Sequence, residues 1–159
     1  MGVQPDGKVL VGGYFNDYIV VEGVGNLVQR SLLIRLHADG ARDDSFASDN
    51  GALGGTISSL ALQSEGKILI AGDIVTTVNG TNIYSLVRLN ANGTVDTEFS
   101  SGIDGYIHCL GVQPDGKILA GGNYIGNGTN RNVIARLDRM GFLMGPFNRE
   151  RIRKVRFPL

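Results

Sequence analysis

"QPDGKVLVGG" spans Gln4–Gly13, and "QPDGKILAGG" returns at Gln113–Gly122. A relaxed copy, "QSEGKILIAG", lies between them at Gln63–Gly72. The first step is 59 residues and the second is 50. Each copy continues into its own version of an Arg-Leu pair that leads to a Gly: "IRLHADG" at Ile34–Gly40, "VRLNANG" at Val87–Gly93 and "ARLDRMG" at Ala135–Gly141. Six residues past each Gly stands a Phe: Phe46, Phe99 and Phe147. Four landmarks in one order, three times over, define a tandem repeat.

The landmarks have a physical reading. In "VQPDGK" the chain must reverse: Pro sets the φ of a type I turn's second residue, and Asp suits the third. Gly then takes the left-handed position that forms a bulge before the next strand. The middle copy replaces Pro and Asp by Ser64 and Glu65 but keeps Gly66, because a Cβ is penalised there. Gly7, Gly66 and Gly116 are therefore expected as structural turn residues, and so are Gly40, Gly93 and Gly141 in the second turn of each unit. Between turns lie short apolar and β-branched runs such as "TISSLALQ", "KILIAGD", "YSLVRLN" and "TVDTEF". They are too short and too Gly-bounded for helices, and they read as four antiparallel strands per unit.

A four-stranded unit of this size in tandem predicts an all-β fold of β-propeller blades. A parallel solenoid has shorter rungs, and a sandwich does not repeat its hairpins in this way. Residues 1–159 read as one repeat domain, with blade one over about 1–55, blade two over about 56–105 and blade three over about 106–148. Residues 149–159 form a basic tail or a closing strand. Composition agrees: 24 glycines in 159 residues is about twice the ordinary ~7% and suits many tight turns. Fifteen acidic residues balance fifteen basic ones, so no global field steers the chain to nucleic acid. With Cys109 as the single cysteine there is no intrachain disulfide framework. No apolar run has the length of a membrane-spanning helix, and the start, "MGVQPDGK", has no signal-peptide pattern.

Residues Gln4–Phe15, Arg35–Phe46, Leu60–Gly72, Arg88–Phe99 and Leu110–Gly122 resemble the delta-sixty repeats. These are Gly-rich propeller repeats of large bacterial proteins, often secreted or surface-attached, with a pattern near "AVQPDGKILVGG…ARLNxDGSLDxSF". The resemblance covers nearly the whole chain. It implies a binding or structural role without a shared catalytic site, and an extracellular or surface setting. The third copy departs at its end, where "FLMGPF" replaces "ARDDSF" and "TVDTEF", so Asp43 and Asp96 have no counterpart.

Propellers take four to eight blades, so three copies predict two exposed blade edges. "MGVQ" aligns with "LGVQ" at Leu110–Gln113, which leaves blade one short of most of its first strand. "VRFPL" (Val155–Leu159) is placed to supply it, with Val155 and Phe157 as edge residues. Between two chains this predicts a six-bladed ring; the alternative is a piece of a longer propeller. Pro158 opposes the pairing, since it removes a backbone donor.

The connection after the "GG" strand differs in each unit: Tyr14–Gln29, Asp73–Ile83 and Asn123–Asn132. Variable loops on a repeated scaffold are where binding resides. Tyr14, Asp17, Tyr18, Asp73, Asn123 and Tyr124 are thus the candidate ligand surface, set against loops that vary without purpose. Asp6, Glu65 and Asp115 recur at one position, explained by turn chemistry rather than metal. His108 and Cys109 are neighbours whose side chains point to opposite faces of a strand, which disfavours a catalytic pair and makes Cys109 a buried residue. His37 matches Asn90 and Asp138 as a turn residue. Arg149, Arg151, Arg153, Lys154 and Arg156 form a basic tail, read as a solvated end over a grip on an anionic polymer. Asn79, Asn92 and Asn127 head Asn-Gly-Thr sequons, and Asn-Gly is also good turn chemistry.

No catalytic residue, metal or cofactor is expected. The primary expectation is a non-enzymatic module whose loop face binds a protein or a glycan. The alternative is a structural building block of a surface layer or virion that pairs through its blade edges. A propeller hydrolase or lyase fragment ranks third, because it needs converging acid and base residues from several blades. Self-association as a dimer, or the remaining blades of a longer chain, completes the list of expected partners.

Overall fold

The computed structural model describes residues 1–15, 30–46, 54–78, 81–103, 105–126 and 129–144. Nine strands occur there, in three separate antiparallel sheets, and there is no helix among the described residues. Blade one holds β1 (Gly2–Val3), β2 (Val9–Phe15) and β3 (Arg30–Leu36). Blade two holds β4 (Gly54–Leu62), β5 (Ile68–Val78) and β6 (Thr81–Leu89). Blade three holds β7 (Gly105–Val112), β8 (Ile118–Gly126) and β9 (Thr129–Leu137). Within each blade the strands pair in chain order.

The turns form as their residues dictate. In all three units the amide of the turn Gly donates to the Gln carbonyl (Gly7 to Gln4, Gly66 to Gln63, Gly116 to Gln113) at 2.9–3.0 Å. The Gln amide donates in turn to the carbonyl of the following Lys. All six predicted turn glycines have positive φ, between 78° and 96°. His37, Asn90 and Asp138 accept from Gly40, Gly93 and Gly141 in the second turn.

The expected fourth strand is absent among the described residues. Where "TVDTEF" was read as a strand, Leu89 forms an isolated bridge to Val95, and the same bridge joins Leu36 to Arg42 and Leu137 to Leu143. The chain then bends: the Asp43 amide reaches Arg35 O, and Phe46 closes a turn onto Asp43 O. Asp96 and Phe99 repeat this on Arg88. A carboxylate and a ring three residues later must both meet one arginine, and an extended strand points them away from it.

Blades stack face to face. β5 lies between two neighbours, and its alternating side chains divide between them. Ile68 and Ile70 join Leu10, Leu33, Ile57 and Val87 in the core shared with blade one. Leu69 and Ala71 join Leu86, Ile107, Ile118 and Leu137 in the core shared with blade three. Burial on both faces explains why "ILIAG" is a continuous apolar run rather than an alternating one.

A repeated polar device ties each blade to the next. Arg35 Nε donates to Asp43 Oδ2 at 2.8 Å, its guanidinium lies 4.7 Å from the centre of the Phe46 ring, and Nη1 crosses to Ala91 O in blade two at 2.8 Å. Arg88 does the same with Asp96 (2.8 Å), Phe99 (4.6 Å) and Arg139 O of blade three (2.7 Å). Lys8 and Lys67 add a second cation to each carboxylate, at 3.0 and 2.7 Å. In blade three Met144 stands where the carboxylate would be, its amide still bonded to Arg136 O, and Lys117 pairs with Asp115 instead at 2.5 Å.

Candidate functional site: a bulged strand at the junction of blades two and three

Of the candidate surface residues, Tyr14, Asp73, Asn123 and Tyr124 lie in strands rather than in loops. Val75–Val78 continue β5 and Thr81–Ile83 open β6, so most of Asp73–Ile83 is a long hairpin. Asn123 and Tyr124 lie within β8, and Tyr14 lies within β2. The β-branched run around Asn79-Gly80 is a hairpin signature that outweighs the loop reading. Asp17 and Tyr18 lie outside the described residues, as do the proposed closing-strand residues Val155 and Phe157 and the basic tail.

Blade two is irregular between its second and third strands, where the other two blades are not. The β5–β6 register runs to the pair Ala71–Leu86 and resumes at Val75–Tyr84. Gly72, Asp73 and Ile74 thus oppose Ser85 alone, whereas β2–β3 and β8–β9 pair without a break. The sequence carries a trace of this: Gly72 to Arg88 is two residues longer than Gly122 to Arg136. Such a bulge twists a strand and re-aims its side chains. Ser85 has a φ of 72°, the one positive φ outside glycine among the described residues. Its hydroxyl donates to Gly105 O at the start of blade three. Strained backbone of this kind concentrates at functional sites.

On the other side of the bulge, Asp73 pairs through its backbone with Thr56 of β4. Gly55 makes this approach possible. A Cβ there would stand 1.6 Å from the Asp73 carbonyl oxygen, at a φ of +102°. The Asp73 carboxylate faces the Tyr106 hydroxyl of blade three. The neighbouring Asp73 carboxylate, by hydrogen bonding and then by its charge, pushes the phenol above its ordinary pKa. Tyr106 is half exposed and stacks on His108, with ring centroids 6.4 Å apart and planes at 25°. Ile107 between them is buried in the blade junction, which fixes both rings on the outer surface. Asn123 is the backbone partner of Tyr106. An exposed carboxylate, a phenol and an imidazole are thereby brought together across two blades.

Of the candidate residues, the fold brings Asp73 and Asn123 to this place. Sequence reasoning missed Tyr106 and Ser85, and weighed His108 only as a partner for Cys109. Cys109 is exposed rather than buried. A second register shift lies between Ile107 and Cys109, so His108 is the extra residue and the strict alternation expected there fails. Both side chains reach solvent.

Stacked antiparallel blades with a repeated interblade arginine define a β-propeller repeat protein. The model of the family described as "domain of unknown function (DUF5122) beta-propeller" matches residues 4–46, 63–99 and 113–143, and the chain belongs to that family. No curated protein matches it.

Proposed function

We propose that this chain is a non-enzymatic propeller module of the delta-sixty type that binds a protein or glycan ligand. The surface in question is the strand-end face around Asp73, Tyr106, His108 and Asn123. The observation that carries the reading is the half-exposed Tyr106–His108 stack of blade three, set beside Asn123 and the β5 bulge that carries Asp73. An exposed aromatic faced by a carboxylate offers a flat apolar face beside an acceptor. A sugar ring or a peptide with a flanking hydroxyl or amide uses both. Rigid aromatics contribute contact area at low entropy cost, which suits Tyr106 better than a flexible loop. An extracellular or surface setting accords with the resemblance of the repeats.

The test is amide chemical-shift mapping on the labelled chain, titrated first with a panel of neutral and acidic oligosaccharides, then with a pooled set of unstructured peptides. The reading predicts shifts confined to the neighbourhood of Asp73, Tyr106, His108 and Asn123, abolished by Tyr106→Ala. Shifts centred elsewhere, or none with either panel, contradict it.

A further inference from the structure

The two outward faces of the blade stack are not ordinary surface. Each junction within the chain joins a trailing face, built from Leu10 and Leu33 or Leu69 and Leu86, to a leading face, built from Ile68, Ile70 and Val87 or Ile118 and Ala120. Among the described residues no blade lies on the trailing face of blade three. Ile134 is 50% exposed there, while its equivalents Leu33 and Leu86 are 2% and 0% exposed. The leading face of blade one likewise has no blade on it among the described residues. Val3 is 64% exposed, and Val9 and Val11 are half-buried where Ile68 and Ile70 are wholly buried.

Smaller features repeat the pattern. A Cβ on Gly2 would press to 2.7 Å on Leu60 of the next blade, while its equivalent Gly111 has nothing within 4 Å. Ser59 accepts from the Leu110 amide of the next blade at 2.9 Å, and its equivalent Cys109 stands exposed. Arg35 and Arg88 reach the turn carbonyls of Ala91 and Arg139, and Arg136 is the third arginine of that series. The carbonyl next in that series belongs to Ala38, in the exposed turn of blade one.

We infer that two copies of this chain associate head to tail, the trailing face of blade three seating on the leading face of blade one in the second copy. The occupant is argued from the chain itself: its two internal junctions show the kind of face that covers each open one. A second copy carries both. Each junction places Ile134 and Leu119 against Val9 and Val11. Two such junctions close a two-fold ring of six blades, within the range that propellers adopt. Association uses the blade faces, distinct from the Asp73–Tyr106 surface, so it goes beyond the ligand-binding reading and is tested separately.

Light scattering on the chain across a concentration series reads the mass directly. The expected result is a species of twice the 16.9 kDa chain mass that dissociates on dilution. Ile134→Asp and Val11→Asp should each abolish it while leaving the circular dichroism of the monomer unchanged, since both sites face outward. The decisive arm mixes the two variants: each keeps the face the other has lost, so the mixture regains a dimer held by one junction. A wild-type chain that stays monomeric at the highest concentration overturns the inference. So does a dimer that survives both substitutions, or a mixture that fails to re-form it while each variant remains folded.

Discussion

Replacing Asp96 by Ala tests the interblade device where the structure makes its cost calculable. The Asp96 side chain is 6% exposed and accepts from Arg88 Nε at 2.8 Å and from Lys67 Nζ at 2.7 Å. Removing it strands Arg88, also 6% exposed, with a carbonyl and a ring but no carboxylate bonded to it. Breaking a buried pair from one side costs about 3–5 kcal/mol. Lys67 is a third exposed and can turn to water, which favours the lower end of that range, about 3 kcal/mol. The double variant Arg88→Met/Asp96→Leu leaves no buried charge behind, since Lys67 turns to water. It loses the Arg139 carbonyl bond and the stacking on Phe99, about 1–2 kcal/mol together. Urea denaturation of the three proteins, with unchanged m-values, measures both differences. A loss below about 1 kcal/mol for Asp96→Ala, or a double variant less stable than the single one, refutes the reasoning.

Acid should loosen the blades through the same carboxylates. Asp43 is held well below the usual carboxylate range by the Ser45 hydroxyl and Lys8, with Arg35 adding to them against the opposing effect of burial. For Asp96 burial opposes the charge, and Lys67, the Glu98 amide and Arg88 outweigh it, so its pKa is also lowered. Depressed folded-state values mean the unfolded chain takes up the protons first. Stability is therefore full above about pH 4 and declines as pH falls toward the folded values. Melting temperatures of Asp43→Asn/Asp96→Asn across that range should fall less steeply than those of the wild type. At alkaline pH, Tyr106 should ionise later than an ordinary tyrosine, and Asp73→Asn should bring it down, read by difference absorbance at the phenolate band. Gly55→Ala and Gly122→Ala place a Cβ 1.6 Å from Asp73 O and 1.9 Å from Tyr106 O. Each should cost more than about 2 kcal/mol by thermal or urea unfolding.

The blades were legible because their turns are chemically explicit. Gly7, Gly66 and Gly116 occupy a conformation that other residues avoid, and Pro5 and Pro114 pre-set the residue before. The β5 run is legible as a strand, and its lack of polar alternation fits the burial on both faces that the structure shows. The extra strand was over-read, since a β-branched pair such as Thr94-Val95 looks extended until the Asp and Phe after it are known to converge on one arginine. The candidate site was only half legible. Asp73 and Asn123 stand out by position after the Gly pair, but Tyr106 acquires its role through a partner in another blade. Ser85 acquires its role through a bulge that the two extra residues of blade two announce only in retrospect. Cys109 was misplaced because burial on an outer blade face depends on what stacks there, which no local pattern encodes.

The central claim is that blade two is sandwiched, with alternate residues of β5 committed to different neighbours. Methyl nuclear Overhauser contacts on the chain measure this directly. The account predicts that Ile70 methyls connect to Leu10 and Leu33 while Leu69 methyls connect to Ile107 and Ile118, with no exchange of partners. Contacts from Leu69 and Ile70 to the same blade, or contacts with the assignments reversed, would contradict the stacked-blade architecture and everything built on it.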